Sequence, residues 1–217
     1  MTTGNSDLTF DIDCRKCDRL VKFLRQVKTD HPDYHAAPVA PLGDTGAAVL
    51  IVGLAPGMHG ANATGRPFTG DHAGILLYET LHRHGFSNQP NGNSADDGLR
   101  LIDCRITNAV KCLPPANKPT PAEITQCNAY LAADLSMLPR PGVIVALGRI
   151  AHTAVLKSLQ LRQAEFPFGH ACAHEIEERL WLIDSYHCSR YNTQTKRLTS
   201  EMFSDVFVEA KRRIALP

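Results

Sequence analysis

The sequence predicts an α/β protein built on a parallel sheet with helices on both faces. Three observations carry the prediction. Short continuous apolar runs, among them "AAVLIVGL", "GVIVALG" and "RLWLIDSYH", read as strands buried on both sides. The segments between them show helical spacing of apolar residues and helix start signals. Strands and helices also alternate along the chain, as repeated βαβ units require. In open sheets of this kind ligands bind beyond the carboxyl ends of the strands.

In chain order, residues 1–12 are polar and acidic and are expected to form a loose tail of one domain spanning 1–217. Residues 14–28 carry Leu20, Val21, Phe23, Leu24 and Val27 at helical spacing. A proline-rich connector, "HPDYHAAPVAPLGDTG", leads to the first strand, "AAVLIVGL", ended by Gly53 and Pro56. A helix is expected from about Asp71 through "HAGILLYETLHRHG", closing at Gly85, and "FSNQPNGNSADDG" reads as a turn-rich loop. The later part of "LRLIDCRITNAV" supplies the second strand. After Pro114, Pro115 and Pro119, "TPAEITQCNAYLAADLSML" opens with Thr120 as N-cap, Pro121 in the first helical position and Glu123 completing a capping box. "GVIVALG" is the third strand, "RIAHTAVLKSLQL" a helix, "RLWLIDSYH" the fourth strand, and "SEMFSDVFVEAKRRIAL" a last helix with Ser200 as its cap.

Composition narrows the class. A chain of 217 residues with 43% hydrophobic and 21% charged content is an ordinary globular protein. No apolar run approaches the ~18 residues of a membrane span. The N-terminal segment lacks the basic and apolar parts of a secretion signal, so a cytoplasmic protein is expected. The net charge of +1 says nothing about partners, but basic residues gather in "CRKCDRLVKFLRQVK" and "SRYNTQTKRLT". Seven cysteines in a cytoplasmic chain argue against a disulfide framework and leave metal binding, redox chemistry or burial.

The carboxyl-end rule selects the candidate residues. After the first strand comes "GLAPGMHGANATGRPFTGD", a nineteen-residue loop with five glycines. Strand-to-helix connections are usually ~2–6 residues, so this loop reads as functional, although it matches neither GxGxxG nor GxxxxGK[ST]. After the second strand come Asn108 and Cys112, after the third "LGR", and after the fourth "SYHCSRYNTQTKR". His187, just past an apolar strand and ahead of a basic loop, is placed to donate a hydrogen bond or act as acid or base. His152 and His174 read as helix or surface residues, with His59 between the two cases. Cys14 and Cys17 form a C-x2-C; with Cys112 and Cys127 they make four thiolates, a donor set for zinc or an iron–sulfur cluster. Cys104, Cys172 and Cys188 read as buried thiols.

The glycine loop together with "HCSRYNTQTKRLT" resembles the two signature motifs of the family 5 (type B) uracil-DNA glycosylases, and "ITNAVKCLPPANKPTPAEITQC" is similar to the segment between them. The likeness runs from Cys14 to the last helix. It implies the uracil-DNA glycosylase fold, a three-layer α/β/α sandwich around a four-stranded parallel sheet. It implies a structural [4Fe–4S] cluster on Cys14, Cys17, Cys112 and Cys127. The partner implied is DNA containing uracil or another deaminated base such as hypoxanthine or xanthine, cleaved at the N-glycosidic bond by a monomer. Related families carry a polar residue where Leu54 stands, and in this family Asp71 handles the water.

The chemistry assigns further roles. His187 donates to the departing base, and backbone N–H groups of the turn around Gly53, Leu54, Ala55 and Gly57 add to it. Phe68 stacks on the base, Asn108 reads its pairing edge, and His59 lies in the same loop. Ser189 and Arg190 grip phosphates, while Tyr191 and Asn192 line the duplex; the family often has Gln where Tyr191 stands. The competing reading is a metal-stabilised DNA-binding module without catalysis.

Overall fold

The computed structural model describes residues 10–215. Five strands form one sheet: β1 (Val49–Gly53), β2 (Cys104–Asn108), β3 (Gly142–Leu147), β4 (Ala173–Glu177) and β5 (Leu180–Ser185), in the order β2-β1-β3-β5-β4. The four strands expected from the apolar runs are mutually parallel. The additional strand, β4, pairs antiparallel with β5 at the edge. Its sequence, "AHEIE", exposes Glu175 and Glu177, charges that discourage another sheet from pairing there.

Seven α-helices accompany the sheet: α1 (Asp18–Asp30), α2 (Ala61–Thr64), α3 (His72–Arg83), α4 (Pro121–Ser136), α5 (Arg149–Ser158), α6 (Arg190–Gln194) and α7 (Ser200–Ile214). Side chains alternate across a strand, so each apolar run feeds two cores. Val49, Ile51, Val143, Val145 and Ile183 pack on one face with Leu77 and Leu81 of α3 and Phe203, Val206 and Phe207 of α7. Leu50, Val52, Ile144, Ala146 and Leu182 pack on the other with Leu131 and Leu135 of α4 and Ala151, Ala154 and Val155 of α5. This is the three-layer α/β/α arrangement. Each fully buried Leu, Ile or Phe adds about 1.5–3 kcal/mol of burial free energy, and the continuous strands supply such residues in both directions. A smaller core joins Leu20, Leu24 and Val27 of α1 to Val110, Leu113 and Tyr130.

The helix ends follow the chemistry of their first residues. Thr120 accepts the Glu123 N–H at 3.3 Å and Glu123 accepts the Thr120 N–H at 2.7 Å, closing the expected capping box with Pro121 in the first turn. The last helix is capped one residue earlier than expected. Thr199, extended at φ −95° and ψ 166°, accepts the Met202 N–H at 3.2 Å, and Ser200 is already helical. The first helix begins at Asp18, so Cys14 and Cys17 precede it. "RYNTQ", read as polar loop, forms the single turn and a half of α6. Of the expected tail, residues 1–9 lie outside the described residues; Phe10 packs against the Tyr130 ring at 6.5 Å. Among the described residues no helix is long and apolar enough to cross a membrane.

Candidate active site

The β1–β2 register sets Gly53 beside Asn108 at the carboxyl edge, and the glycine loop folds back over this point. A Cβ on Gly53 would lie 2.4 Å from Asn108 Oδ1 and 2.8 Å from the Phe68 ring, so glycine is what lets both side chains approach the strand end. Phe68 itself sits at φ +55°. Its carbonyl reaches α3 only because Gly74 has no side chain: a Cβ there would stand 1.8 Å from the Phe68 oxygen.

Here the loop, the end of β2 and the segment after β5 border an open cavity of about 360 Å³. Leu54, Ala55, Gly57 and Phe68 line it from the glycine loop, and Asn108 from β2. Asp71, His187, Ser189 and Arg190 complete the expected set. The rings of Phe68 and His187 are 6.3 Å apart and within 28° of parallel. Asn108 is buried, and its Oδ1 has no hydrogen-bond partner among the described residues. An unpaired buried acceptor costs about 1–3 kcal/mol, so the cavity holds a stored demand for an N–H donor.

His187 stands two residues past β5. Removal from water lowers its pKa to about 4, which makes the imidazole neutral at physiological pH. Its backbone is fixed by Asn192, whose amide donates to the His187 carbonyl at 2.8 Å. Asn192 is therefore turned inward, whereas Tyr191 is 70% exposed. Burial raises the Asp71 pKa, offset in part by the Ala61 N–H and by nearby His59. His59 is exposed, bonds through Nδ1 to the Tyr34 hydroxyl at 2.8 Å, and does not line the cavity.

Four lining residues escaped the sequence reading, Ala61, Ala73 and two polar ones. Asn117 reaches the cavity from the proline stretch, where Ala116 and Asn117 both adopt left-handed backbone, φ +53° and +55°. His72 lines it too, and its Nε2 lies 3.2 Å from the Thr193 hydroxyl, tying α3 to α6. No glycine or periodic pattern marks Asn117; its place among prolines after a strand is the one available signal.

Cys14, Cys17, Cys112 and Cys127 line a separate small void of about 20 Å³ between α1, the segment after β2, and α4. Burial, with mutual repulsion of the thiolates, pushes Cys17 up to about 11 and Cys112 up to about 12, and Cys127 upward as well. The Lys111 backbone N–H donates to Cys127 Sγ at 3.3 Å. Among the described residues no three His, Cys, Asp or Glu side chains gather around a single metal ion. Of the other cysteines, Cys104 and Cys188 are buried, but Cys172 is exposed, because the turn before β4 holds it outside both cores. His152, on α5, is buried, with Nδ1 2.7 Å from Asp184 and Nε2 3.0 Å from the Phe166 carbonyl. His174 lies half-buried on the edge strand.

A sandwich whose strand ends carry an open cavity flanked by the Phe68 and His187 rings, with exposed Arg190 at its edge, has the parts of a nucleobase-handling protein. The chain belongs to the uracil DNA glycosylase superfamily, whose family model matches residues 40–211. Within it the likeness is to type-5 members. The chain is 47% identical over 208 residues to the type-5 uracil-DNA glycosylase of Thermus thermophilus, covering 94% of each chain. It is 41% identical over 203 residues to that of Pyrobaculum aerophilum, covering 92% of this chain and 88% of the relative. To that of Mycobacterium bovis it is 42% identical over 208 residues, covering 92% and 77%.

Proposed function

We propose that this protein excises uracil from DNA by hydrolysing the N-glycosidic bond, leaving an abasic site. Its family and its relatives' names support the reading. The observation that carries it for this chain is the unpaired, buried Asn108 Oδ1 beside Phe68 in the strand-end cavity.

A base must leave the stack to be cut. Flipped uracil presents an N–H next to a carbonyl on its pairing edge. That N–H meets Asn108 Oδ1, and the amide N–H₂ of Asn108 meets the carbonyl. Cytosine presents the opposite pattern, an acceptor beside an amine, and leaves the buried amide unpaired. Deamination converts the second pattern into the first in cytosine and in adenine, whereas guanine and its product xanthine both carry the first. Hypoxanthine shares uracil's edge, which supports a substrate range that includes deaminated adenine. Leu54 and Ala55 add no charged group to the lining that would bar a larger ring.

In the reaction the C1′–N bond breaks and its electron pair leaves with the base. Neutral His187 donates a hydrogen bond to the oxygen where that charge develops. The sugar becomes positive at C1′. Asp71, made more basic by burial, faces this charge, and orients a water whose oxygen adds to C1′ while its proton passes to the carboxylate. Ser189 and Arg190 are set to hold the flanking phosphates, and exposed Tyr191 to meet the duplex.

The four cysteines fit an iron–sulfur cluster. Cys17, Cys112 and Cys127, unfavourable as anions here, would with Cys14 become stable ligands beside cationic iron. When bound, the cluster supplies a cross-link between α1, the segment after β2, and α4, outside the chemistry. The test is a duplex with one uracil opposite guanine, scored for abasic sites. Excision by the wild type is expected; intact uracil after prolonged incubation refutes the reading.

A further inference from the structure

Beside the base cavity lies a second open one of about 450 Å³, and Asp71, His72 and Arg190 line both. Its far wall is the loop read only as turn-rich, through Asn91, Gly92 and Asn93, and its floor includes Ile75 and Glu79 on the solvent face of α3.

This wall is built to stay in place. Arg66, inside the glycine loop, makes two parallel 2.8 Å bonds to Asp97, with both side chains largely buried. Arg66 also donates to the Ala95 carbonyl and to Thr69 Oγ1. Asp97 in turn accepts the N–H groups of Asn93, Ser94 and Leu99, and its carboxyl is held far below the usual range by Arg66. Gly92 lies flush on Tyr78, where a Cβ would stand 2.5 Å from the ring. An exposed loop would otherwise be mobile. Here a bidentate buried ion pair fixes it to the same loop that carries Phe68 and Asp71, so its amides hold a set position relative to the base cavity.

We propose that this second cavity binds the nucleotide adjoining the flipped one on the same strand, its phosphodiester at Arg190 and its base edge against Asn91 and Asn93. The charge pattern orients the occupant. Arg190, exposed and without an ion pair among the described residues, stands at the wall shared with the base cavity, where the connecting phosphate must pass; Asp71 on that wall is turned to the Ala61 N–H, and Glu79 at the other end is paired with Arg83 at 3.1 Å. Asparagine amides present both a donor and an acceptor, matching any base edge. The inference rests on the excision reading above.

The test compares kcat/KM on single-stranded oligonucleotides with uracil internal, at the 5′ end or at the 3′ end, for the wild type, Asn91→Ala/Asn93→Ala and Asn93→Asp. For the wild type, adding the neighbour on one side should raise kcat/KM roughly tenfold, the worth of one or two hydrogen bonds. Asn91→Ala/Asn93→Ala should lose most of that ratio. Asn93→Asp, which keeps the acceptor and loses the amide donor to the base edge, should lower it as well. Both substituted residues are exposed, and unchanged melting temperatures confirm that the loop still folds. A wild type indifferent to both neighbours, or variants that keep the wild-type ratio, overturns the inference while leaving excision intact. No excision of any of these substrates by the wild type overturns both.

Discussion

Asp71 heads α3 but does not cap it: its Oδ2 accepts the Ala61 N–H, 3.2 Å away at the start of α2. Its backbone is extended, as an N-cap requires, while the side chain turns from its own helix toward the cavity. The helix-cap role and the water-handling role thus separate in space. Asp71→Asn keeps a hydrogen-bonding group of the same size and removes the base. The expected loss in single-turnover excision is about 10²–10⁴-fold, the usual contribution of a positioned acid or base, with DNA affinity kept. A rate within a few-fold of wild type would reduce Asp71 to a structural residue.

Glycine at position 60 is required by that carboxylate. A Cβ there would lie 2.0 Å from Asp71 Cγ, inside any real contact. Gly60→Ala should therefore mimic Asp71→Asn in rate while DNA affinity is kept. An alanine variant with normal turnover would mean that Asp71 can work from another position.

The His187 imidazole is expected to stay neutral across the working range. Burial disfavours its cation, so the folded pKa, about 4, lies below the ordinary ~6.5. The pH profile of single-turnover excision should show no histidine inflection between pH 5 and 8. Its acid limb belongs to Asp71, whose raised pKa moves that limb above the ordinary carboxylate range. The unfolded chain binds a proton at position 187 below ~6.5 and the folded chain does not, so this residue costs stability as pH falls from 6.5 toward 4. His187→Gln should flatten that part of the melting-temperature profile and slow excision about 10²–10³-fold. An inflection near 6.5 that vanishes in the variant would contradict the neutral-donor role.

Arg190 is exposed and, among the described residues, makes no ion pair. Arg190→Ala should weaken binding to any duplex and reduce the slope of log affinity against log salt by about one. An unchanged slope would take Arg190 off the phosphate backbone.

Cys127→Ser should lower bound iron and the visible absorbance of the purified protein, and lower the melting temperature. Asn108 and Cys112 are four residues apart on one segment, with Val110 N–H bonded to the Leu54 carbonyl, so loss of the proposed cluster should also raise KM. Iron content equal to wild type would remove Cys127 from the ligand set.

Much of this architecture was legible in the sequence because its strands are apolar on both sides. "VLIVG" and "GVIVAL" must be buried twice, and only helices on both faces do that. The edge strand β4 was not legible, since "AHEIE" alternates charge and needs only β5 as a partner. Short α6 escaped because "RYNTQ" has no apolar stripe. The residues of the base cavity were found from their positions after strands, reinforced by the motif likeness. Asn117 was missed because left-handed backbone at Ala116 and Asn117 carries no glycine to announce it. Distant charge pairing was equally invisible: buried Lys111 meets Asp134 at 3.0 Å and also donates to Thr107, a network no local pattern encodes. Arg66 with Asp97 is the same case, thirty-one positions apart.

The crowding around Gly53, Gly57, Gly60 and Gly74 has a consequence for the gene. Glycine codons begin with two guanines, each opposite a cytosine. Deamination of either cytosine, left unrepaired, turns the codon into one for serine, arginine, aspartate or glutamate. Each of these adds a side chain where the nearest atom already stands 1.8–2.6 Å from a Cβ. The lesion this protein is proposed to remove is thus the one its own glycine loop is least able to survive.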